Sequence, residues 1–209
     1  MHGATALEQL RWIGSELEGI DLDCYRRHGR DPKEPVLGLG NAQARWCFFG
    51  RDPGEQEVRL QRPFVGGAGQ KIRAVMAELA WSDDDIYWMN TVPFKPIGNK
   101  PWPVAVRRRC RPALLQLLAS WRGVSVVTFG EAAFKWFGMG SPETRRTIEE
   151  FWARADKYDA SLQVDLEIAG AERRFTLHPV PHPSGANAVW AAQFPDLLKA
   201  RLCSGARAT

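Results

Sequence analysis

Three short stretches hold residue types that do chemistry. Gly50-Arg51-Asp52-Pro53-Gly54 offers a carboxylate beside a cation, Asn90-Thr91-Val92 an amide, and His182-Pro183-Ser184 an imidazole and a hydroxyl. A fixed carboxylate at Asp52 can stabilise positive charge building on a sugar or orient the water that attacks it. Asp-Pro also opens turns, so a purely local role for Asp52 is the competing reading. Of the two histidines near the end of the chain, His178 reads as structural, because a lone histidine near a strand end more often serves packing; His182 is the functional candidate.

Elements must hold these stretches together. Residues 44–49 form a short apolar run that reads as a buried strand ending at Gly50, and residues 86–89 read as a second strand ending at Asn90. Residues 124–129 make a third, followed at Gly130 by a helix start. Apolar residues three or four apart predict helices over 6–20 and 69–80; Pro103 opens another reaching about Trp121, and 190–202 closes the chain with Leu197, Leu198 and Leu202 inward. Residues 162–168 alternate and, with 174–177, predict a hairpin or a further pair of strands. The expected class is α/β, a three-layer α/β/α sandwich around a mostly parallel sheet of four to five strands. Ligands of such sheets sit at the carboxyl ends of the strands, so loops 50–67, 90–102 and 178–188 should converge.

Composition narrows the class of protein. A chain of 209 residues suits one domain, 1–209, with the helix and loop of residues 1–43 packed on its core. The 44% hydrophobic and 25% charged shares argue against disorder and fibrous repeats. No apolar run approaches the roughly 20 residues of a membrane span, and Glu8 and Arg11 stand where a signal peptide is apolar, so a cytoplasmic place is expected. Cys24, Cys47, Cys110 and Cys203 form no C-x-x-C pair, which argues against a zinc ribbon and for reduced thiols; no metal is expected. A net charge of +4 and a pI near 9.0 are compatible with nucleic acid without requiring it. GxxxxGK[ST] and GxGxxG are both absent.

Taken in order at these strand ends, and joined by Arg62-Pro63-Phe64-Val65-Gly66-Gly67-Ala68-Gly69 and Lys95-Pro96-Ile97-Gly98-Asn99-Lys100-Pro101, the loops resemble the motifs of the uracil-DNA glycosylase superfamily over roughly residues 44–202. The RPFVG-x-AG stretch looks most like the bacterial family 4 and 5 enzymes, while Asp52 matches the aspartate of family 1, whose loop reads GQDPYH. Family 4 enzymes carry an iron–sulfur cluster on four cysteines that include a C-x-x-C pair; this chain lacks the pair, so neither cluster nor other cofactor is expected.

The resemblance implies an enzyme of base excision repair in the bacterial cytoplasm or nucleoid, acting as a monomer. It would extrude uracil from DNA and hydrolyse the N-glycosidic bond, leaving an abasic site and free uracil. Asp52 takes the catalytic aspartate's place, and His182 that of the histidine that hydrogen-bonds the carbonyl oxygen of the departing base. Asn90 reads the N3 and O4 edge of uracil, Phe64 stacks on the base, and Gly50, Arg51, Pro53 and Gly54 complete the pocket. Gly54 replaces the tyrosine by which family 1 blocks the thymine methyl, so strict uracil selectivity does not follow. Ser184, Gly185, Ala186 and Asn187 would meet DNA, with Ala186 at the wedge position where family 1 has leucine. Lys95, Asn99 and Lys100 in the second loop are further DNA candidates, as is Trp102; the run Arg107, Arg108, Arg109 and Arg111 reads mostly as a solvated helix face.

Three alternatives remain open from sequence: a glycosylase that also accepts hypoxanthine, xanthine or mispaired thymine; a non-hydrolytic binder of uracil or abasic DNA; and an unrelated doubly wound enzyme using Asp52 and His182 on a small substrate. One superfamily branch traps DNA covalently through a histidine in an inserted loop after the second motif. Residues 95–102 contain no histidine, which favours hydrolysis.

Overall fold

Five consecutive buried residues leave a strand no solvated face, and both Trp46–Gly50 (β1) and Ile86–Asn90 (β2) are of this kind. Such strands belong inside a parallel sheet covered on both sides. The computed structural model, which describes residues 5–38, 40–184, 190 and 192–206, builds that sheet. With Ser125–Phe129 (β3), Leu162–Ile168 (β4) and Ala171–Val180 (β5), the strand order is β2-β1-β3-β5-β4. All neighbours are parallel except β4 and β5. These two form a hairpin, one of the two arrangements the sequence allowed, closed by Ala169 and Gly170 at φ 54° and 80°, as a two-residue turn matched to strand twist requires.

Alternation along the strands feeds two cores. Cys47, Phe49, Tyr87, Met89 and Val126 face one side, where Ala6–Glu16 (α1), Leu22–Arg27 (α2), Val104–Ser120 (α5), Glu131–Trp136 (α6) and Pro142–Trp152 (α7) pack. Trp46, Phe48, Trp88 and Val127 face the other, covered by Gly67–Glu78 (α4) and Phe194–Ala206 (α8). This is the expected three-layer α/β/α arrangement, with the sheet at five strands. Among the residues expected inward on the closing helix, Leu198 and Leu202 are buried and Leu197 is half-buried.

Helix starts follow local chemistry. Thr5 and Glu8 cap α1 reciprocally, with the Thr5 N–H donating to Glu8 Oε2 at 2.7 Å and the Glu8 N–H to Thr5 Oγ1 at 3.3 Å. Ser141 caps α7 ahead of Pro142. A short helix at Glu55–Leu60 (α3) follows the first motif directly. No helix among the described residues is long and apolar enough to cross a membrane.

Candidate active site

Strand register assembles the site. Gly50 and Asn90 are partners at the ends of β1 and β2, so the first and second motifs leave the sheet side by side. The second loop then binds the first through the Thr91 N–H to Gly50 O (2.9 Å), Val92 N–H to Arg51 O (3.2 Å) and Thr91 Oγ1 to Arg51 O (2.5 Å). Phe129 and Val180 are partners on β3 and β5, which delivers His182 two residues later. Together these strand ends wall a cavity of about 650 Å3 that Asp52, Phe64, Asn90 and His182 all line.

The Asp52 side chain is only 3% exposed and paired with its neighbour, Arg51 Nε lying 2.5 Å from Oδ1 and 3.0 Å from Oδ2. Arg51 is itself anchored by Nη2 donating to Asn99 O at 2.9 Å. Burial pushes the Asp52 carboxyl above the ordinary carboxylate range; Arg51 opposes that rise without cancelling it.

Burial, helped by the positive charge of Arg51, holds His182 down to about 4, so its ring is neutral at pH 7. Its Nδ1 accepts the backbone N–H of Ser184 at 3.2 Å. A neutral imidazole carries one proton, which this bond assigns to Nε2. His182 is therefore poised as a hydrogen-bond donor through Nε2. His178, by contrast, spends Nδ1 on Ser161 Oγ at 3.0 Å and packs at a tilt against Trp46 with ring centroids 5.0 Å apart, the contacts of a structural residue.

Asn90 is buried, and among the described residues its side-chain amide has no hydrogen-bond partner, leaving donor and acceptor available to a ligand. Phe64 sits at φ 54°, a conformation rare for a bulky side chain. Arg73 Nε holds its carbonyl at 2.9 Å, and its ring lies 5.1 Å from Trp88 and 5.5 Å from Phe129. Two glycines permit this. A Cβ at Gly69 would lie 1.9 Å from the Phe64 carbonyl oxygen, and one at Gly50 would lie 2.6 Å from both Asn90 Oδ1 and Phe64 Cζ.

Sequence reasoning missed Glu57. Its buried carboxylate accepts the N–H groups of Gly54 (3.0 Å), Val65 (2.8 Å) and Gly66 (2.6 Å), tying the first motif to the segment that carries Phe64. The available signal was a glutamate three residues after Gly54, the spacing of an N-terminal helix cap. Glu57 also explains Gly54, where a Cβ would lie 2.8 Å from Glu57 Oε2.

Two expected DNA contacts turn inward. The Lys95 ammonium is buried against Asp21 Oδ2 (2.9 Å), Pro96 O (3.1 Å) and Asn99 Oδ1 (3.1 Å), because Asp21, which caps the start of α2, lies beside it. Trp102 is buried with Nε1 donating to Phe94 O at 2.8 Å. Asn99 and Lys100 are exposed, and Ser184 and Pro53 line the cavity. Gly185, Ala186 and Asn187 lie outside the described residues. Cys24, Cys47 and Cys110 are buried thiols and Cys203 is exposed. Among the described residues one group has metal-ligand chemistry: Cys24, His28 and Glu55, whose ligand atoms lie within 4.8 Å of one another. Its Glu55 carboxylate is shared between Arg27 at 2.8 Å and His28 at 3.0 Å.

Known sequences are similar to this chain. The Type-4 uracil-DNA glycosylase of Thermotoga maritima is 31% identical over 105 residues, 50% of this chain and 55% of that protein. That of Archaeoglobus fulgidus is 32% identical over 99 residues, covering 47% and 49%. That of Sulfurisphaera tokodaii is 30% identical over 152 residues, covering 72% and 64%. The chain thus spans about half the length of the first two relatives. The model of the Uracil DNA glycosylase superfamily matches residues 37–204, a stretch that runs from before β1 into α8 and takes in every cavity wall described above. A match over that much of the chain, on a sheet whose ends gather Asp52, Asn90 and His182, makes this protein a member of the uracil-DNA glycosylase superfamily.

Proposed function

We propose that the protein excises uracil from DNA by hydrolysing its N-glycosidic bond. The observation that carries this reading is one cavity lined by a buried carboxylate, Asp52, and a neutral histidine, His182, whose only proton is on Nε2. In the reaction the bond from C1′ to N1 breaks and its electron pair leaves with the base, spreading onto the base carbonyl oxygen. His182 Nε2–H donates a hydrogen bond to that oxygen, stabilising the anion without transferring its proton. Asp52 stabilises the cationic sugar and accepts the proton of the water that adds to C1′; its burial makes it a stronger base than a solvated carboxylate. The free amide of Asn90 reads the N3 and O4 edge, and Phe64 stacks on the ring. Gly54 offers no side chain against a 5-methyl group, so mispaired thymine is a substrate to assay beside uracil.

The test uses oligonucleotides with a single uracil, single-stranded or opposite guanine or adenine, incubated with the protein in EDTA and then cleaved with alkali. A shortened strand is expected. Its absence in every context would remove the reading.

A further inference from the structure

The run Arg107-Arg108-Arg109-Cys110-Arg111 is divided by the turn of α5. Arg107, Arg108 and Arg111 share a stripe with Val104 at the three- and four-residue spacings of one helix face. Cys110 is buried in the core, and Arg109 lies on another side with its guanidinium 4.9 Å above the Trp12 ring. Val104, Arg107 and Arg108 of this stripe border a cavity of about 360 Å3 whose other walls include Gly140, Ser141 and Arg145. A second cavity, of about 430 Å3, shares Arg107 and Lys135 with the first, and Arg51, Phe129 and His182 with the site that holds Asp52. One trough therefore leads from the candidate active site across α5 to the start of α7.

Its charge is unbalanced. Lys135 is bonded to both Glu131 at 2.8 Å and Glu149 at 2.5 Å, a trio with one net negative charge that the trough's arginines outweigh. Arg107, Arg108 and Arg145 have no carboxylate hydrogen-bonded to them among the described residues, and the Nε of Arg107 is closed off from solvent without an acceptor, whereas Arg111 lies over the Trp136 ring at 5.2 Å. A buried donor without a partner carries a cost that an incoming acceptor relieves. The eleven-residue helix α7 adds its positive end at Ser141.

We propose that this trough binds the sugar–phosphate backbone of the DNA strand that bears the extruded nucleotide, on one side of that nucleotide. The inference rests on the glycosylase reading. Repeated, singly charged acceptors along a chain match a row of unpaired arginines, whereas a lone small anion would satisfy one and leave the rest. The strand must be the extruded nucleotide's own, because the trough begins at Arg51 and His182.

Single-stranded oligonucleotides with one uracil and a progressively shortened 5′ or 3′ flank test this, on wild type and on the double variant Arg108→Ala, Arg145→Ala. Wild type should lose roughly tenfold in kcat/KM when one flank is cut away and little when the other is. The double variant should show that loss already on long substrates, as a raised KM, with the slope of log KM against log salt reduced by about 1.4, at ~0.7 per phosphate. Arg109→Ala, which removes one positive charge from another side of α5, should behave as wild type, and thermal midpoints would show that each variant folds. Anisotropy of a labelled, undamaged oligonucleotide reads the trough without base release. A double variant that binds it with wild-type affinity and salt slope overturns the inference and leaves the glycosylase reading standing; failure of wild type to release uracil removes that reading instead.

Discussion

Arg51 turns its guanidinium back onto the carboxylate of the next residue, Asp52, with Nε within reach of both oxygens and Nη2 tied to the Asn99 carbonyl. A buried carboxylate held in this way keeps its position, among the described residues, without a direct backbone clamp on its own oxygens. The same pairing sets what each partner's removal should do.

Asp52→Asn keeps the size of the side chain and removes its charge. Base release should fall by about 10²- to 10⁴-fold, while affinity for uracil-containing DNA changes by less than about tenfold. Single-turnover rates beside anisotropy titrations measure both, and an unaltered rate would remove Asp52 from the chemistry.

Arg51→Met leaves the burial that raises Asp52 and deletes the charge that opposes it. The acid limb of the rate profile should move to higher pH than in wild type. Rates between pH 4 and 8 read the limb directly; a limb that stays put would show that another group controls it.

His182 and His178 are both held down to about 4. Each ring binds its proton more weakly folded than unfolded, so the unfolded chain takes up more protons as pH falls. Stability is full above about 6.5 and drops between 6.5 and 4, by up to about 3 kcal/mol per ring. Urea midpoints against pH should show the decline, and His178→Asn should flatten part of it. The rate profile should show no inflection near 6.5 from His182.

Glu57→Ala strands three backbone donors at once. A loss of about 2–3 kcal/mol is expected, read as a lower thermal midpoint, together with a raised KM because Phe64 loses its tie to the first motif. Glu57→Gln retains a carbonyl acceptor and should fall between the two. If the midpoint of the alanine variant matched wild type, the three bonds would contribute nothing net.

How much was legible in the sequence varied with the range of the signal. β1, β2 and β3 were legible because a buried parallel strand is a continuous apolar run, and the loops after them were legible because glycine and proline punctuate them. α2 and α3, six residues each, are too short for a helical period to emerge, and α7 offers only Ile148 and Phe151 as buried positions amid charge. Lys95 misled for a different reason. A lysine in a loop near a nucleic-acid motif reads as a phosphate contact, and nothing local to it reveals that Asp21, 74 residues away, will neutralise it. The role expected of Asp52 followed from carboxylate chemistry as well as from motif resemblance, and that expected of His182 from resemblance; the tautomer of His182 required knowing where the Ser184 N–H points.

The partnership of Gly50 with Asn90 has a mechanical corollary. Adjacent strands stand about 4.8 Å apart whatever joins them, so the sheet works as a caliper whose jaws are the first and second motifs. The segment between β1 and β2, which contains α3 and α4, hangs Asp52, Glu57 and Phe64 from one jaw, while the gap itself is set by the strand pairing. The width of the site is cut into the ladder of the sheet, and the loops fill it.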